Sequence, residues 1–311
     1  MTERGVLLLS GATGLVGRRL LPHLLEAGYI VRCLSRDPVR AARGLPPGAQ
    51  AIGWDGLRVP PDALRGGVAA IHLAGEPVFG GLPSPARRAR IRESRVASTT
   101  SLASALGTLA PAERPGALLC ASAVGYYGSR GEEVLDERSS PGEGFLAAVC
   151  RAWEDAARGA ERHGVRVVRL RIGIVLAREG GALPPLALPF RLGFGGPLGD
   201  GRQWVPWIHV EDLVEVLCAC LADPNLEGAV NAVAPAPARN AELAAALGRV
   251  LRRPARLRVP AFVLRTALGE LADELLGSRR VVPRRAQALG VRFRFHDLEA
   301  ALAEELRPAG R

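Results

Sequence analysis

Three glycines near the start of the chain, Gly11, Gly14 and Gly17, are spaced three residues apart. They follow a short apolar run, Val6 to Ser10, and precede a segment whose leucines recur at helical spacing. In such a strand–turn–helix unit the first glycine permits a sharp turn, the second admits a pyrophosphate, and the third packs helix against strand. The helix N-terminus then offers free N–H groups to the phosphates. The segment therefore predicts a dinucleotide-binding turn.

The next apolar run, Tyr29 to Ser35, ends 18 residues after Gly17, where the adenine ribose is read in such sites. An acidic residue at this strand end is usual for NAD, but Ser35 and Arg36 stand here instead. Arginine pairs with a 2′-phosphate in a forked geometry and stacks on adenine. We therefore expect NADP. Asp37 keeps NAD open, and ordinary solvation in a loop is the alternative interpretation of Arg36.

Two adjacent tyrosines, Tyr126 and Tyr127, follow a fifth apolar run, Ala117 to Ser122. A phenol at this edge of a sheet can donate a proton to a carbonyl, with Ser122 as its hydrogen-bond partner. We predict that Tyr126 is the donor. The alternative is that one tyrosine belongs to the core and the other anchors the loop.

His209 is a second candidate for acid–base chemistry, because it opens a helix directly after an aromatic segment. Asp212, near the same helix start, equally serves as a cap and complements the helix dipole. Trp204 and Trp207 either shape an apolar pocket or fill a core.

The elements that must position these residues alternate between strand and helix, which predicts a doubly wound parallel sheet of Rossmann type. Strands are expected at 6–10, 29–35, 50–54, 69–73, 117–122, 165–172 and 230–233, and long helices at 85–109, 145–163 and 209–221. In this α/β fold the carboxyl ends of the strands line the ligand crevice. Residues 1–172 are expected to form the dinucleotide-binding domain, to whose sheet the strand near 230–233 returns. Residues 173–311 are expected to form a substrate lobe that includes a small, mostly helical domain at about 240–311.

Two further positions point to the cofactor. Leu73, Ala74 and Gly75 follow the fourth strand, and their small size would let a cofactor lie against backbone. Arg95 lies among small residues on the long helix, so it either points inward to the cofactor or belongs to an arginine-rich surface.

Composition bounds the remaining possibilities. The chain has 311 residues, of which 48% are hydrophobic and 23% charged, as in a soluble globular protein. It shows no signal peptide and no apolar run long enough to span a membrane. The five cysteines are expected to be buried free thiols in a reducing cytoplasm, without metal-ligand spacing. A homodimer is left open.

The chain is basic, with a net charge of +10, and all 41 of its basic residues are arginines. Residues 240–311 carry 14 arginines against 8 acidic side chains. Nucleic-acid binding is one interpretation of that segment. A solvated basic face is favoured, since no nucleic-acid-binding motif and no row of exposed aromatics accompanies the charge.

Several motifs together extend these expectations. GATGLVG at Gly11, HLAG at His72, SAVGYYG at Ser122 and WIHVED at Trp207 resemble the extended short-chain dehydrogenases/reductases. The order of these motifs, with LSR at Leu34 and ESR at Glu93, is similar to an atypical branch of that family, the epimerase family proteins, and the match covers nearly the whole chain. The resemblance implies an NADP-binding Rossmann domain, a C-terminal lobe over the substrate cleft, and a small-molecule carbonyl, hydroxyl or nucleotide-sugar substrate. Its cofactor positions, joined to those argued above, give Gly11, Thr13, Gly14, Leu15, Val16, Gly17, Ser35, Arg36, Leu73, Ala74, Gly75 and Arg95.

The chain differs from that superfamily at the positions of the catalytic residues. The superfamily's Tyr-x-x-x-Lys pair falls, by spacing back from Glu154, on Leu146 and Cys150, and the chain contains no lysine. A non-catalytic regulator that binds NADPH therefore remains the alternative to an oxidoreductase or epimerase-like enzyme. Glu143 and Glu154 are predicted to be solvated charges at the flanks of a helix.

Overall fold

The computed structural model describes residues 4–78, 84–269 and 272–307. Its strands are β1 (Gly5–Ser10), β2 (Tyr29–Ser35), β3 (Ala49–Gly53), β4 (Gly67–His72), β5 (Ala117–Ala123), β6 (Val134–Leu135), β7 (Arg166–Ile172), β8 (Ile174–Ala177), β9 (Gly180–Gly181), β10 (Trp204–Val205), β11 (Trp207–His209), β12 (Gly228–Ala232), β13 (Ala238–Arg239) and β14 (Arg280–Val281). Its α-helices are α1 (Leu15–Glu26), α2 (Pro38–Ala42), α3 (Pro61–Leu64), α4 (Pro85–Thr108), α5 (Phe145–Arg158), α6 (Leu183–Arg191), α7 (Val210–Ala222), α8 (Asn240–Leu251), α9 (Ala261–Leu268), α10 (Ala272–Leu276), α11 (Arg284–Ala288) and α12 (Leu298–Leu306).

The central sheet has seven parallel strands in the order β12-β7-β5-β4-β1-β2-β3. Residues 6–9 of β1 are all apolar, as expected of a strand whose sheet is covered by helices on both faces. Leu7 and Leu9 pack with leucines of α1 and α7, whereas Leu8 packs on the other face with α4 and α5. The doubly wound α/β fold expected from the sequence is therefore confirmed.

Most predicted elements agree with the structure to within two residues. The late strand lies at β12, which pairs in parallel with β7, Ala232 opposite Ile172. Helix α5 is shorter than predicted: it ends at Arg158, Gly159 follows as its cap, and a separate 3-10 turn covers Glu161–His163.

The chain after β7 forms smaller elements around a third apolar cluster. Strands β8, β9 and β11 form one small sheet, and β10 pairs with β13. Residues of α6, α8 and α12 pack together with Trp207. In the segment 240–311, the predicted helices are present as α8 to α12, while residues 270–271 and 308–311 lie outside the described residues.

The cysteines agree with the expectation of buried free thiols except at one position. All five cysteines are free, and Cys218 alone among them is only half-buried. Burial raises the pKa of the Cys120 and Cys150 thiols to about 12. Over residues 4–78, 84–269 and 272–307, no helix combines the length and apolarity that a membrane crossing needs.

Candidate dinucleotide and proton-transfer site

The glycine turn between β1 and α1 is packed so closely that side chains have no room at two of its positions. Gly11 has φ +75°, and a Cβ on it would lie 2.9 Å from the carbonyl carbon of Leu73. A Cβ on Gly17 would lie 2.2 Å from the Gly11 oxygen. Gly14 differs, because its Cβ position meets only that oxygen, at 3.1 Å. The residue types present therefore fit a pyrophosphate approaching the open side of Gly14.

A cleft of about 850 Å³ opens at the carboxyl ends of β1, β2 and β4, beside this turn. It brings together eight of the predicted cofactor residues. These are Gly11, Thr13, Gly14, Ser35, Arg36, Leu73, Ala74 and Gly75. Arg18, Arg40 and Trp54, which the sequence did not single out, are among the other lining residues. Its volume falls in the range of small-molecule and cofactor sites.

Four predicted cofactor residues stand behind the cleft instead of lining it. Leu15 packs toward Gly180 and Gly181, Val16 joins the core under the sheet, and Gly17 supports the turn. Arg95 lies beside Gly75, 3.5 Å from where a Cβ on that glycine would be. Its guanidinium donates to the Ile91 oxygen and lies 5.1 Å from the ring centre of Trp153.

The end of β2 places two arginines and one aspartate at the cleft. The Asp37 side chain accepts the backbone N–H of Arg40 at 2.9 Å and so caps α2. Ser35 fixes the turn by bonding to the backbone of Asp37. Asp37 lines the cleft as well, but its carboxylate is engaged at the helix start, and Arg18, Arg36 and Arg40 are the cations there that can meet an anion.

A buried histidine ties the ends of β1 and β4 together. His72 lies between two hydroxyls, with Nδ1 2.7 Å from Ser10 and Nε2 3.1 Å from Ser98. Since the Ser98 hydroxyl donates to the Ser94 oxygen, Nε2 carries the imidazole proton. Ser10 also accepts the backbone N–H of Ala74, at the floor of the cleft. Burial lowers the pKa of His72 to about 4, so it is neutral at pH 7.

The two tyrosines after β5 have different environments. Tyr127 is fully buried, donates to Asn231 Oδ1 at 2.6 Å and accepts from Arg171 at 2.9 Å. Burial raises the pKa of Tyr127 to about 12. Tyr126 is half-buried, and its hydroxyl makes no hydrogen bond within the described part of the chain. The Arg171 guanidinium lies 3.5 Å from the centre of the Tyr126 ring, a close cation–π contact.

The expectation that Glu154 is a solvated charge is wrong. Glu154 is 3% exposed and receives two hydrogen bonds from Arg171, at 2.8 and 3.0 Å. The Ser122 hydroxyl donates to the same carboxylate, so it is not the hydrogen-bond partner of a tyrosine that the sequence suggested. Arg169 lies 3.6 Å from Glu154 as well. Glu143 is exposed, as expected.

The 3-10 helix that carries the tyrosines, Val124–Tyr127, packs on α5 at the positions aligned with the superfamily's Tyr and Lys. A Cβ on Gly125 would lie 3.3 Å from Leu146 Cβ and 3.7 Å from Cys150 Sγ. This 3-10 helix therefore covers both positions, and Tyr126 directly follows Gly125 in it.

His209 is buried in the interior and does not line the cleft. It is 1% exposed, and its Nδ1 accepts the Glu211 N–H, so it caps α7. Its ring stacks on Phe295, and Nε2 lies 3.0 Å from Glu305. Burial lowers the pKa of His209. The cap predicted for Asp212 is therefore provided by His209.

Asp212 instead accepts the backbone N–H groups of Arg294 and Phe295, which holds the segment before α12. The two tryptophans differ in role. Trp207 is a core residue, whereas Trp204 is half-buried and donates to Glu132.

Sequence reasoning missed Arg171, the cation that contacts both tyrosines. One signal for it was present: the seven residues of β7, RVVRLRI, place Arg169 and Arg171 on the same face of a strand that must be buried. A buried arginine requires a carboxylate partner, which pointed to an acidic residue on the covering helix. Glu154 on α5 is that residue.

Comparison with known proteins agrees with this geometry. Residues 7–233 match the model of the NAD dependent epimerase/dehydratase family, and residues 259–305 match a domain of unknown function, DUF1731. The chain is 38% identical over 301 residues to the epimerase family protein SDR39U1 homolog, chloroplastic, of Arabidopsis thaliana, covering 94% of this chain and 84% of that protein. It is 33% identical to the epimerase family protein YfhF of Bacillus subtilis, covering 95% and 96%.

Among solved structures, human epimerase family protein SDR39U1 with NADPH superposes with a TM-score of 0.85. It is 36% identical, with 96% of this chain and 98% of that chain covered. The expectation of a nicotinamide dinucleotide as cofactor is thereby confirmed, as is the resemblance to epimerase family proteins. The glycine turn, the parallel sheet and these matches together establish that the chain belongs to the NAD dependent epimerase/dehydratase family.

Proposed function

We propose that this chain is an NADPH-binding oxidoreductase or epimerase-like enzyme that acts on a small carbonyl or hydroxyl substrate. The observation that carries the cofactor choice is the end of β2, where Arg36 and Arg40 line the cleft together with Asp37, whose carboxylate caps α2. A 2′-phosphate distinguishes NADPH from NADH, and a forked arginine is the side chain suited to it. The NADPH in the crystal structure of the human relative supports the same choice.

We further propose that Tyr126 is the proton donor. NADPH, when bound, supplies a hydride, so a carbonyl substrate needs a proton at its oxygen. Tyr126 is partly accessible, whereas the Tyr127 hydroxyl is committed to Asn231 and Arg171. Arg171 lies against the Tyr126 ring and is itself held by Glu154. In this proposal Arg171 replaces the superfamily's lysine, which this chain lacks, and it holds Tyr126 in position.

NADPH oxidation across a panel of aldehydes, ketones and sugar nucleotides tests this function. Where turnover is found, Tyr126→Phe is expected to lower kcat by roughly 10²–10⁴-fold, the usual loss for a general acid. NADPH affinity should be nearly unchanged, because the cleft does not include Tyr126. Undiminished turnover in Tyr126→Phe would eliminate it as the donor.

One observation favours a second candidate, a non-catalytic protein that binds NADPH and regulates a partner. Leu146 and Cys150 stand where the superfamily's catalytic pair would be, and neither can exchange a proton near pH 7, since the Cys150 pKa is raised to about 12. Tight NADPH binding without turnover on any member of the panel would favour this function over the enzyme.

A further inference from the structure

A second cavity, of about 330 Å³, lies between α6 and α8 beside the segment that leads into α9. Apolar side chains form its walls, among them Leu186, Phe190, Leu243, Leu247, Val259 and Leu264. Asn240 is the one polar side chain among the described residues that line it, and Asn240 Oδ1 already accepts the Leu198 N–H at 2.7 Å. The cavity therefore offers shape and apolar contact with almost no hydrogen bonding.

One end of this cavity approaches the cofactor side of the molecule. Ile174 lines it and follows the carboxyl end of β7 after a single residue. Ala182, which also lines it, directly follows Gly181, and a Cβ on that glycine would lie 3.0 Å from Leu15 at the start of α1. The cavity thus extends outward from the edge of the sheet at which the dinucleotide cleft opens.

Size and chemistry limit what can fill it. An apolar cavity of about 150 Å³ stays dry and accepts benzene, so 330 Å³ has room for on the order of twelve carbon atoms. A diphosphate buried here would meet no cation among the described lining residues, which is unfavourable for so charged a group. The walls favour a hydrocarbon chain or ring system over a nucleotide.

The surroundings of the cavity carry exposed aromatic and aliphatic residues. Phe194, a lining residue, is 65% exposed, and Phe262, two residues before the lining residue Leu264, is 70% exposed. Leu257 is 52% exposed and its N–H donates to the Gly195 oxygen, next to Phe194. Large exposed apolar side chains of this kind mark ligand-binding grooves or interaction surfaces.

We propose that this cavity binds the apolar part of the substrate, an acyl chain or fused hydrocarbon ring, whose carbonyl or hydroxyl group then points toward the cofactor cleft. This inference rests on the proposed function for calling the ligand a substrate. The binding site is inferred from the cavity itself, and a binding experiment tests it without any need for turnover.

The test uses N-phenyl-1-naphthylamine, a neutral probe that fluoresces in apolar sites, with decanal and UDP-glucose as competitors. Wild-type protein is expected to bind the probe and to release it to decanal but not to UDP-glucose. Leu186→Trp, which fills the cavity, is expected to weaken probe binding by at least about tenfold. Leu188→Trp is the matched control, because Leu188 lies on the same helix, is 53% exposed and does not line the cavity.

NADPH titration of each variant separates this inference from the proposed function, since the dinucleotide cleft shares no lining residue with the cavity. Retained NADPH binding with selective loss of the probe in Leu186→Trp supports the apolar site. Equal probe binding in both tryptophan variants, release of the probe by UDP-glucose, or no probe binding by wild type would overturn it. A wild-type dimer in sedimentation that Phe262→Ser dissociates would also overturn it, because a second copy would then cover the entrance. Probe binding without NADPH binding would overturn the proposed cofactor instead.

Discussion

Glu143 lies just before α5 and Glu154 lies within it, and the two carry the same charge in opposite surroundings. Glu143 is exposed, whereas Glu154 compensates Arg171 and Arg169 in the interior. The sequence between them gave no local reason for the difference, because the partners come from β7, more than ten residues away along the chain. The residue type predicted a charged side chain at both positions. Whether that side chain is buried depends on its tertiary partners, which for Glu154 are Arg169 and Arg171.

This contrast predicts different stability effects for the same substitution. Glu154→Gln leaves Arg171 buried without its counter-ion, and we expect it to lower the free energy of unfolding by about 3–5 kcal/mol. Glu143→Gln, its matched control, should change that free energy by less than about 0.5 kcal/mol. Urea denaturation of the two variants measures both values, and equal effects would contradict the buried-pair assignment.

At the scale of elements, the succession of β1, turn and α1 was predicted, because backbone geometry requires glycine at Gly11 and Gly17. Strand β2 was predicted to the residue, and β12 was correctly returned to the sheet. The two-residue strands β6, β9, β10, β13 and β14 were not predicted, since such short pairings have no periodicity of their own. The capping of α7 by His209 was missed for a related reason, as it depends on burial against α12.

The glycine turn gives the first prediction at this scale. Gly14→Val should fold, since Gly14 has φ −77° and its Cβ position has one close contact, but the branched side chain would fill the space of the pyrophosphate. We expect loss of both NADPH and NADH binding by calorimetry, with a thermal unfolding midpoint close to wild type. Gly17→Val is the contrasting variant, and it should fail to fold stably because its Cβ meets the Gly11 oxygen at 2.2 Å. Intact cofactor binding in Gly14→Val would contradict a role in pyrophosphate binding and would leave the three glycines a structural turn only.

The link between β1 and β4 through His72 gives a prediction about pH. The pKa of His72 is about 4 in the folded protein against an unfolded value of 6.5, so the unfolded chain binds more protons between those values. Stability should therefore fall as the pH is lowered from 6.5 toward 4, with His72 contributing about 3 kcal/mol over that range. Chemical denaturation at several pH values measures the slope. His72→Gln should show a shallower slope than wild type, and an equal slope would refute the contribution of His72.

On the scale of the whole molecule, one parallel sheet brings the ends of β1, β2 and β4 to a single cleft, and β5 and β7 place Tyr126 and Arg171 along the same edge. The cleft was predictable because a Rossmann-type order of strands determines which loops meet. The second cavity was not, because it forms between α6, α8 and the segment before α9, whose packing has no signature in the local sequence.

The central claim is that the end of β2 selects NADPH. Calorimetric titration of wild type, Arg36→Asp and Arg43→Asp with NADPH and NADH tests it most directly, because Arg43 is exposed and does not line the cleft. Wild type should prefer NADPH, and Arg36→Asp should weaken NADPH binding by roughly 10–100-fold, the effect of losing a charge-assisted hydrogen bond. NADH binding should change much less, and Arg43→Asp should match wild type. An unchanged ratio of NADPH to NADH affinity in Arg36→Asp would contradict the account.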